Sequence, residues 1–250
     1  MLVVEYDGTA YCGFQLQAGQ PTIQEELEGA ITRLSGEKRR VIPASRTDTG
    51  VHALGQVVSF RIESSLNAKA FVNGLNYYLP EDIAVRAAYS VPESFYVRKA
   101  AVSREYSYFI INSETRSPLE RYRAYHVSGD LNVENMNRAC EVLIGEHDLA
   151  SFVTSMEGVK STVRRIFKAQ VTKEKSLVVF DIVAKSFMPH QVRNTVGLLI
   201  RAGLGKVSVK EFYGIVKRKT PGLAKPTAPA HGLCLIKVNY PIPLEEYQNK

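Results

Sequence analysis

Cysteine is scarce. Cys12, Cys140 and Cys234 are far apart, odd in number and in no Cys-x-x-Cys pair, which argues against a disulfide framework and a thiolate zinc site. A reducing, cytoplasmic setting is expected from that usage. The five histidines show no ligand spacing, so no metal site is expected. Long apolar runs are missing too. The chain enters directly a strand-like Leu2-Val3-Val4-Glu5-Tyr6 with no basic n-region or apolar h-region, and its most apolar helix, around Val196 to Leu204, is interrupted by Arg201. Neither secretion nor membrane insertion is expected. Nucleotide-cofactor loops are also absent. Gly203-Leu204-Gly205-Lys206-Val207-Ser208 lacks the glycine spacing of a phosphate loop and has Val207 where Ser or Thr would hold magnesium, and no dinucleotide fingerprint occurs. The expected chemistry uses no cofactor.

What is present is a core and a charge. With 250 residues and 45% hydrophobic content, the chain can bury a sizeable core as one large domain or two small ones. Its 32 Lys+Arg against 25 Asp+Glu give a formal charge of +7, and the pI near 9.2 fits a nucleic-acid-binding domain. Charge alone does not decide this, since many proteins carry such an excess without a polyanionic partner.

Strand and helix signals alternate in a definite order. Leu2 to Tyr6 reads as a strand, and Thr22 with Glu25 caps a helix striped by Ile23, Leu27, Ile31 and Leu34 and ended by Gly36. Arg40 to Ala44 and Gln56 to Ile62 read as strands. Phe71, Leu75, Tyr78 and Leu79 mark a helix stopped by Pro80, and Ile83 to Tyr89 a further strand. That β-α-β-β-α-β order is the ferredoxin-like one. The second half repeats it with longer connections. Ser103 to Asn112 is a strand; Val133, Met136, Cys140 and Leu143 stripe a helix; Val163 to Thr172 and Leu177 to Ala184 pair. Val192, Val196 and Leu199 stripe the next helix, Ser208 with Glu211 begins an extra one, and Leu233 to Val238 closes the sheet. The expected fold is therefore α+β: two ferredoxin-like halves, 1–97 and 98–250, with antiparallel sheets side by side, helices on one face and an RNA-binding cleft on the other. Basic residues available to line that cleft are Arg39, Arg40, Arg98, Lys99, Arg116, Arg121, Arg123, Lys160, Arg164, Arg165 and Lys217-Arg218-Lys219. Sequence does not choose which of them touch phosphate.

The chemistry is expected on the loop Ala44-Ser45-Arg46-Thr47-Asp48-Thr49-Gly50-Val51-His52-Ala53, presented between two strands. Asp48 lies two residues from Arg46, and a neighbouring guanidinium favours an ionised carboxylate suited to attack or proton abstraction. The same run also fits ordinary turn chemistry, with Asp bonding backbone amides and Gly taking a positive φ. Two further stretches stand out. Arg104-Glu105-Tyr106-Ser107-Tyr108 sets two tyrosines on one strand face, where either ring can stack on a base or simply pack as a strand residue. Arg193, in the first turns of a helix beside the apolar stripe, needs an anionic partner at the core boundary.

Several strings occur together and in order: Tyr6-Asp7-Gly8-Thr9 with Gly13-Phe14-Gln15, Thr22-Ile23-Gln24 with Leu27-Glu28, the Asp48 loop with Gly55-Gln56-Val57, and Leu79-Pro80-Glu81-Asp82-Ile83. Arg104 to Tyr108, Leu143 to Asp148, Val192-Arg193-Asn194 with Val196-Gly197, and Gly232-Leu233 complete the set. Over nearly its whole length the chain resembles the tRNA pseudouridine synthase A (TruA) family. That resemblance implies cofactor-free isomerisation of uridine to pseudouridine in the anticodon arm of tRNA, at positions 38 to 40, by a homodimer with one tRNA spanning both subunits. It implies that Asp48 is the catalytic carboxylate, as nucleophile at the ribose C1′ or base at C2′, and that Arg46 helps to extrude the base or occupies its space. Tyr106 is implied to stack on the flipped uracil, Arg193 to pair with Asp48, and Leu233 to pack beside the base. The chain departs from the family pattern at Ser45 and Thr49, where Gly and Ala are common, and at Pro189-His190-Gln191. Two rival readings are a non-catalytic tRNA-binding or folding module and a glycosidic-bond hydrolase using Asp48 with His52.

Overall fold

Leu2–Tyr6 forms β1, burying Leu2, Val4 and Tyr6 on one face. Thr22 then starts α1 (Ile23–Ser35) by accepting the Glu25 N–H, and Gly36 ends it at φ +77°, a left-handed stop that glycine adopts without a Cβ penalty. Next come β2 (Ile42–Pro43), β3 (His52–Ser59), α2 (Ala68–Tyr78), β4 (Ile83–Ala88) and the single turn α3 (Val97–Ala100). They are followed by β5 (Ser103–Asn112), β6 (Tyr125–Val127), α4 (Val133–Glu141), β7 (Gly145–Asp148), β8 (Val163–Glu174) and β9 (Leu177–Ala184). The last are α5 (Gln191–Gly203), α6 (Val209–Arg218) and β10 (Leu233–Asn239). The structure, a computed structural model, describes residues 1–64 and 66–249. It is a mixed fold of strands and helices.

Two units divide the chain. One comprises residues 1–104 with those from Leu235 onward, and the other Glu105–Cys234. In the first, the strands run in the order β4-β1-β3-β10, with β2 also paired to β3. Its β2 is shorter than the expected Arg40 to Ala44, pairing with β3 at Ile42 and Pro43, although the Ala44 N–H still reaches Val57 O at 2.8 Å. β3 starts earlier than expected, at His52, because Ala53 already pairs with Tyr6. Helix α2 is fastened to edge strand β4 by Asn76, whose Nδ2 donates to Val85 O (2.8 Å) and whose Oδ1 accepts the Val85 N–H (2.7 Å).

In the second unit the order is β5-β9-β8-β7, with β6 parallel to β5. β7 pairs only with Val163 to Ile166 of β8. Farther along that edge, Asn137 of α4 binds Val171 as Asn76 binds Val85, through Nδ2 to O and N–H to Oδ1, both 2.8 Å. α5 departs from the expected stripe: eleven of its residues are buried. Elements crowd it on several sides. A Cβ on Gly203 would lie 2.8 Å from Met136 Sδ, and one on Gly197 would lie 1.7 Å from Pro226 O.

Candidate active site

The Asp48 loop is locked from two directions. Gln56 of β3, fully buried, turns back onto Ser45: Nε2 donates to Ser45 O at 2.7 Å and Oε1 accepts the Ser45 N–H at 3.3 Å. Thr47 Oγ1 meets Tyr6 Oη at 2.8 Å. On the other side lies the turn after β1, where Phe14 N–H donates to Thr47 O (3.1 Å) and Gly50 N–H to Tyr11 O (3.2 Å). Such backbone-on-backbone contact requires glycine. A Cβ on Gly8 would sit 2.1 Å from Val51 O, and one on Gly13, at φ +85°, 2.7 Å from Thr47 O. Tyr11 Oη donates to Asp82 Oδ1 at 2.6 Å. Burial, then that carboxylate, raise the phenol's pKa. His52 belongs to this frame, its Nδ1 3.0 Å from Gly8 N and 3.1 Å from Asp7 Oδ1. Half-buried Asp48 lies at the turn, its carbonyl accepting the Val51 N–H at 3.1 Å.

Arg46 does not do what its spacing suggests. Among the described residues its exposed guanidinium forms no ion pair with Asp48. It instead lines a hollow of about 210 Å³ with Gln15, Gln24, Arg40, Val41, Ile42, Pro43 and Arg98. Closeness along a loop does not fix where a long side chain points.

Tyr106, Arg193 and Leu233 lie in the second unit. The Tyr106 ring, 6% exposed, stands edge-on to Phe187 with centroids 5.2 Å apart. Tyr108 is fully buried and donates its hydroxyl to Pro229 O at 2.7 Å. Its pKa is raised by burial, against which the Arg193 charge works. Tyr108 is thus a structural residue, and Tyr106 is the less deeply buried of the two tyrosines. Arg193 Nε donates to Ala228 O at 2.8 Å, Ala228 N–H returns to Arg193 O at 3.1 Å, and Thr227 Oγ1 donates to Asn194 Oδ1 at 2.6 Å. The first turns of α5 therefore hold the segment that leads through Gly232 to Leu233. Gly232 is pressed against Tyr108, where a Cβ would come within 2.6 Å of Cζ.

Among the described residues no group of three or more His, Cys, Asp or Glu side chains could hold a metal ion, and no helix is long and apolar enough to cross a membrane. Sequence comparison matches residues 2–98 and 139–241 to a family model described as tRNA pseudouridine synthase. The chain belongs to that family. As a pseudouridine synthase it is an isomerase. Curated relatives named tRNA pseudouridine synthase A agree in length. The one from Geotalea daltonii is 42% identical over 239 residues, covering 96% of this chain and 98% of its own. That from Thermoanaerobacter sp. strain X514 is 42% identical over 240 residues, with shares of 96% and 98%. The Francisella tularensis subsp. novicida protein is 39% identical over 241 residues, with shares of 96% and 93%.

Three residues of this synthase matter more to the frame than their sequence suggests. Gln56 reads as a polar strand residue, and nothing local signals its burial. Gln24 lies in an ordinary helix, yet it accepts the Leu16 N–H (3.0 Å) and donates to Val41 O (3.1 Å). Arg104 is buried, its guanidinium on Ala44 O and Arg98 O, both 3.0 Å. Its Nη1 also donates to Ala101 O at 3.4 Å, and nothing in the local sequence signals that burial.

Proposed function

We propose that this isomerase converts uridine to pseudouridine in the anticodon arm of tRNA, at positions 38 to 40, with Asp48 as the catalytic carboxylate. The observation that carries the reading is the locked loop: a half-buried Asp48 on a backbone fixed by Gln56, Tyr6 and the turn after β1. Carboxylate chemistry at a sugar carbon needs that fixity, because small misplacements cost large factors in rate. The reaction breaks the N1–C1′ bond and forms a C5–C1′ bond; N1 gains a proton as C5 loses one, so nothing is added or removed. Asp48 has two routes, attack on C1′ or proton abstraction at C2′. Water must be kept from C1′ while the base turns, which favours a dry pocket.

The other roles belong to the same proposal. Tyr106 offers a ring to the flipped uracil, whose unstacking costs a few kcal/mol and whose restacking returns about 1–3 kcal/mol. Arg193 is the cationic counterpart of the carboxylate, Leu233 an apolar wall, and Arg46 takes the space the base leaves. The enzyme acts in the cytoplasm as a homodimer with one tRNA across both subunits. A hydrolase would need His52 as a base, but its Nδ1 is engaged by Gly8 and Asp7.

The test is product mapping at single-nucleotide resolution on an unmodified tRNA transcript, with wild type and Asp48→Ala. Pseudouridine in the anticodon arm with wild type alone is expected. Pseudouridine formed by Asp48→Ala, released uracil, or tight binding without product would each overturn the reading.

A further inference from the structure

The hollow beside the Asp48 loop has an unusual charge. Three guanidiniums, Arg40, Arg46 and Arg98, line it with two glutamines, and among the described residues Arg40 alone of the three is ion-paired, to Glu28. Among the described residues the side chains of Arg46 and Arg98 have no hydrogen-bonded or ion-paired partner. They are close enough that Arg46, after desolvation, lowers the pKa of Arg98. Like charges converging without a counter-ion cost free energy, and an anion between them removes that cost.

The floor of the hollow is built rather than incidental. Buried Gln24 donates to Glu28 Oε1 at 2.6 Å, and the same oxygen accepts the Val41 N–H at 2.9 Å. Glu28 Oε1 also stands 3.7 Å from Arg40 Nε, which aligns the Arg40 stem. Arg104, behind the lining, binds both Ala44 O and Arg98 O, tying the backbone that carries Arg98 to the segment that leads to Arg46. The backbones under all three arginines are therefore set before any ligand arrives. A volume of about 210 Å³ is several times the roughly 30 Å³ that one water occupies. That leaves room for one phosphodiester group.

We infer that this hollow is a seat for a backbone phosphodiester of the RNA substrate, held by Arg40 and Arg98 with Gln15 as a further polar contact. The inference rests on the proposed action on tRNA and sharpens it. Arg46 belongs to both the hollow and the Asp48 loop, so one bound phosphate fixes the strand's register relative to the carboxylate. Guanidinium suits the task, since its planar fork matches two phosphate oxygens at once.

The experiment measures binding of an anticodon stem-loop RNA across a KCl series to wild type and to Arg40→Gln/Arg98→Gln. Both side chains are exposed, and circular dichroism melting checks that the variant folds. The slope of log affinity against log salt should fall by about 1 in the variant, with affinity down about tenfold. The same RNA carrying single neutral methylphosphonate linkages then gives the location. One linkage should cost wild type about tenfold and cost the variant nothing, because the charge it would have met is gone. A second variant, Arg40→Lys/Arg98→Lys, should keep the slope. An unchanged slope in the glutamine variant, or methylphosphonate penalties alike in both proteins at every linkage, overturns the phosphate seat. If wild type binds and passes these tests but forms no pseudouridine, the catalytic reading fails and the seat stands. Binding of inorganic phosphate alone, with no coupling to any RNA linkage, also overturns it.

Discussion

Gln56 shows how a side chain outside the chemistry can govern it. Its amide bonds both backbone groups of Ser45, and Gln56→Leu removes both of those bonds. The expected cost is about 2–4 kcal/mol in urea unfolding, with kcat falling more than KM because the carboxylate loses its position. Asp48→Asn should behave differently: no turnover by product mapping, and tRNA affinity within about twofold of wild type by filter binding, since the shape is retained. Tyr106→Ala should lower kcat/KM by about 10- to 100-fold in single-turnover assays, and Tyr106→Phe should retain most of it, as a stacking ring requires. Sequence made the Asp48 string legible because the residues that carry it are contiguous. The two-residue spacing of Arg46 and Asp48 did not reveal that the Arg46 guanidinium lies near Arg98, and nothing local signalled the burial of Gln56. A polar residue's burial depends on strands far away in the chain, here β1 carrying Tyr6.

At the scale of elements, both units use asparagine to finish an edge. Asn76 and Asn137 occupy the N–H and C=O of Val85 and Val171, where among the described residues no further strand pairs. Open edges invite pairing with another chain. Asn76→Ala and Asn137→Ala should each lose about 1–3 kcal/mol in denaturant titration and aggregate at lower concentration in light scattering. Helix starts were the most legible elements. Thr22 with Glu25 and Ser208 with Glu211 mark caps that the structure shows, the second with reciprocal bonds of 3.2 Å and 2.7 Å. The stripe in α5 was less informative. A helix covered by α4 and by residues 226–228 buries positions that a one-sided stripe leaves out, and only Gly197 and Gly203 hinted at close neighbours.

For the whole molecule, charge and thiol chemistry give separate expectations. The excess of Lys and Arg was readable from composition, but which of them converge was not, because Arg40 and Arg98 are brought together by β2 and α3 packing near Arg104. Cys140 lies in α4, its thiol pushed up to about 12 by burial and then by Glu141. A raised acid keeps its proton in the folded state longer than in the unfolded one. Its contribution is therefore constant below pH 9 and lost as pH rises from 9 toward 12, by about 1.4 kcal/mol per unit. Urea midpoints of wild type should fall more steeply than those of Cys140→Ala above pH 9. At pH 8 Cys140 should resist alkylation until the protein unfolds, read by peptide mapping after iodoacetamide.

The interlock between residues 8–14 and 47–51 carries a consequence for exchange with solvent. The amides of Phe14, Gly50 and Val51 each end on a carbonyl of this pair of segments, and Gly8 and Gly13 leave no gap between them. Opening the loop alone would mean parting two backbones that share their hydrogen bonds. Deuterium should therefore enter these amides at the slow rate of the strands β1 and β3 that bear them, although they belong to connecting segments that usually exchange early. Heat should then remove catalysis and these protected amides at one temperature, with no cooler range in which the enzyme is folded but its loop is loose.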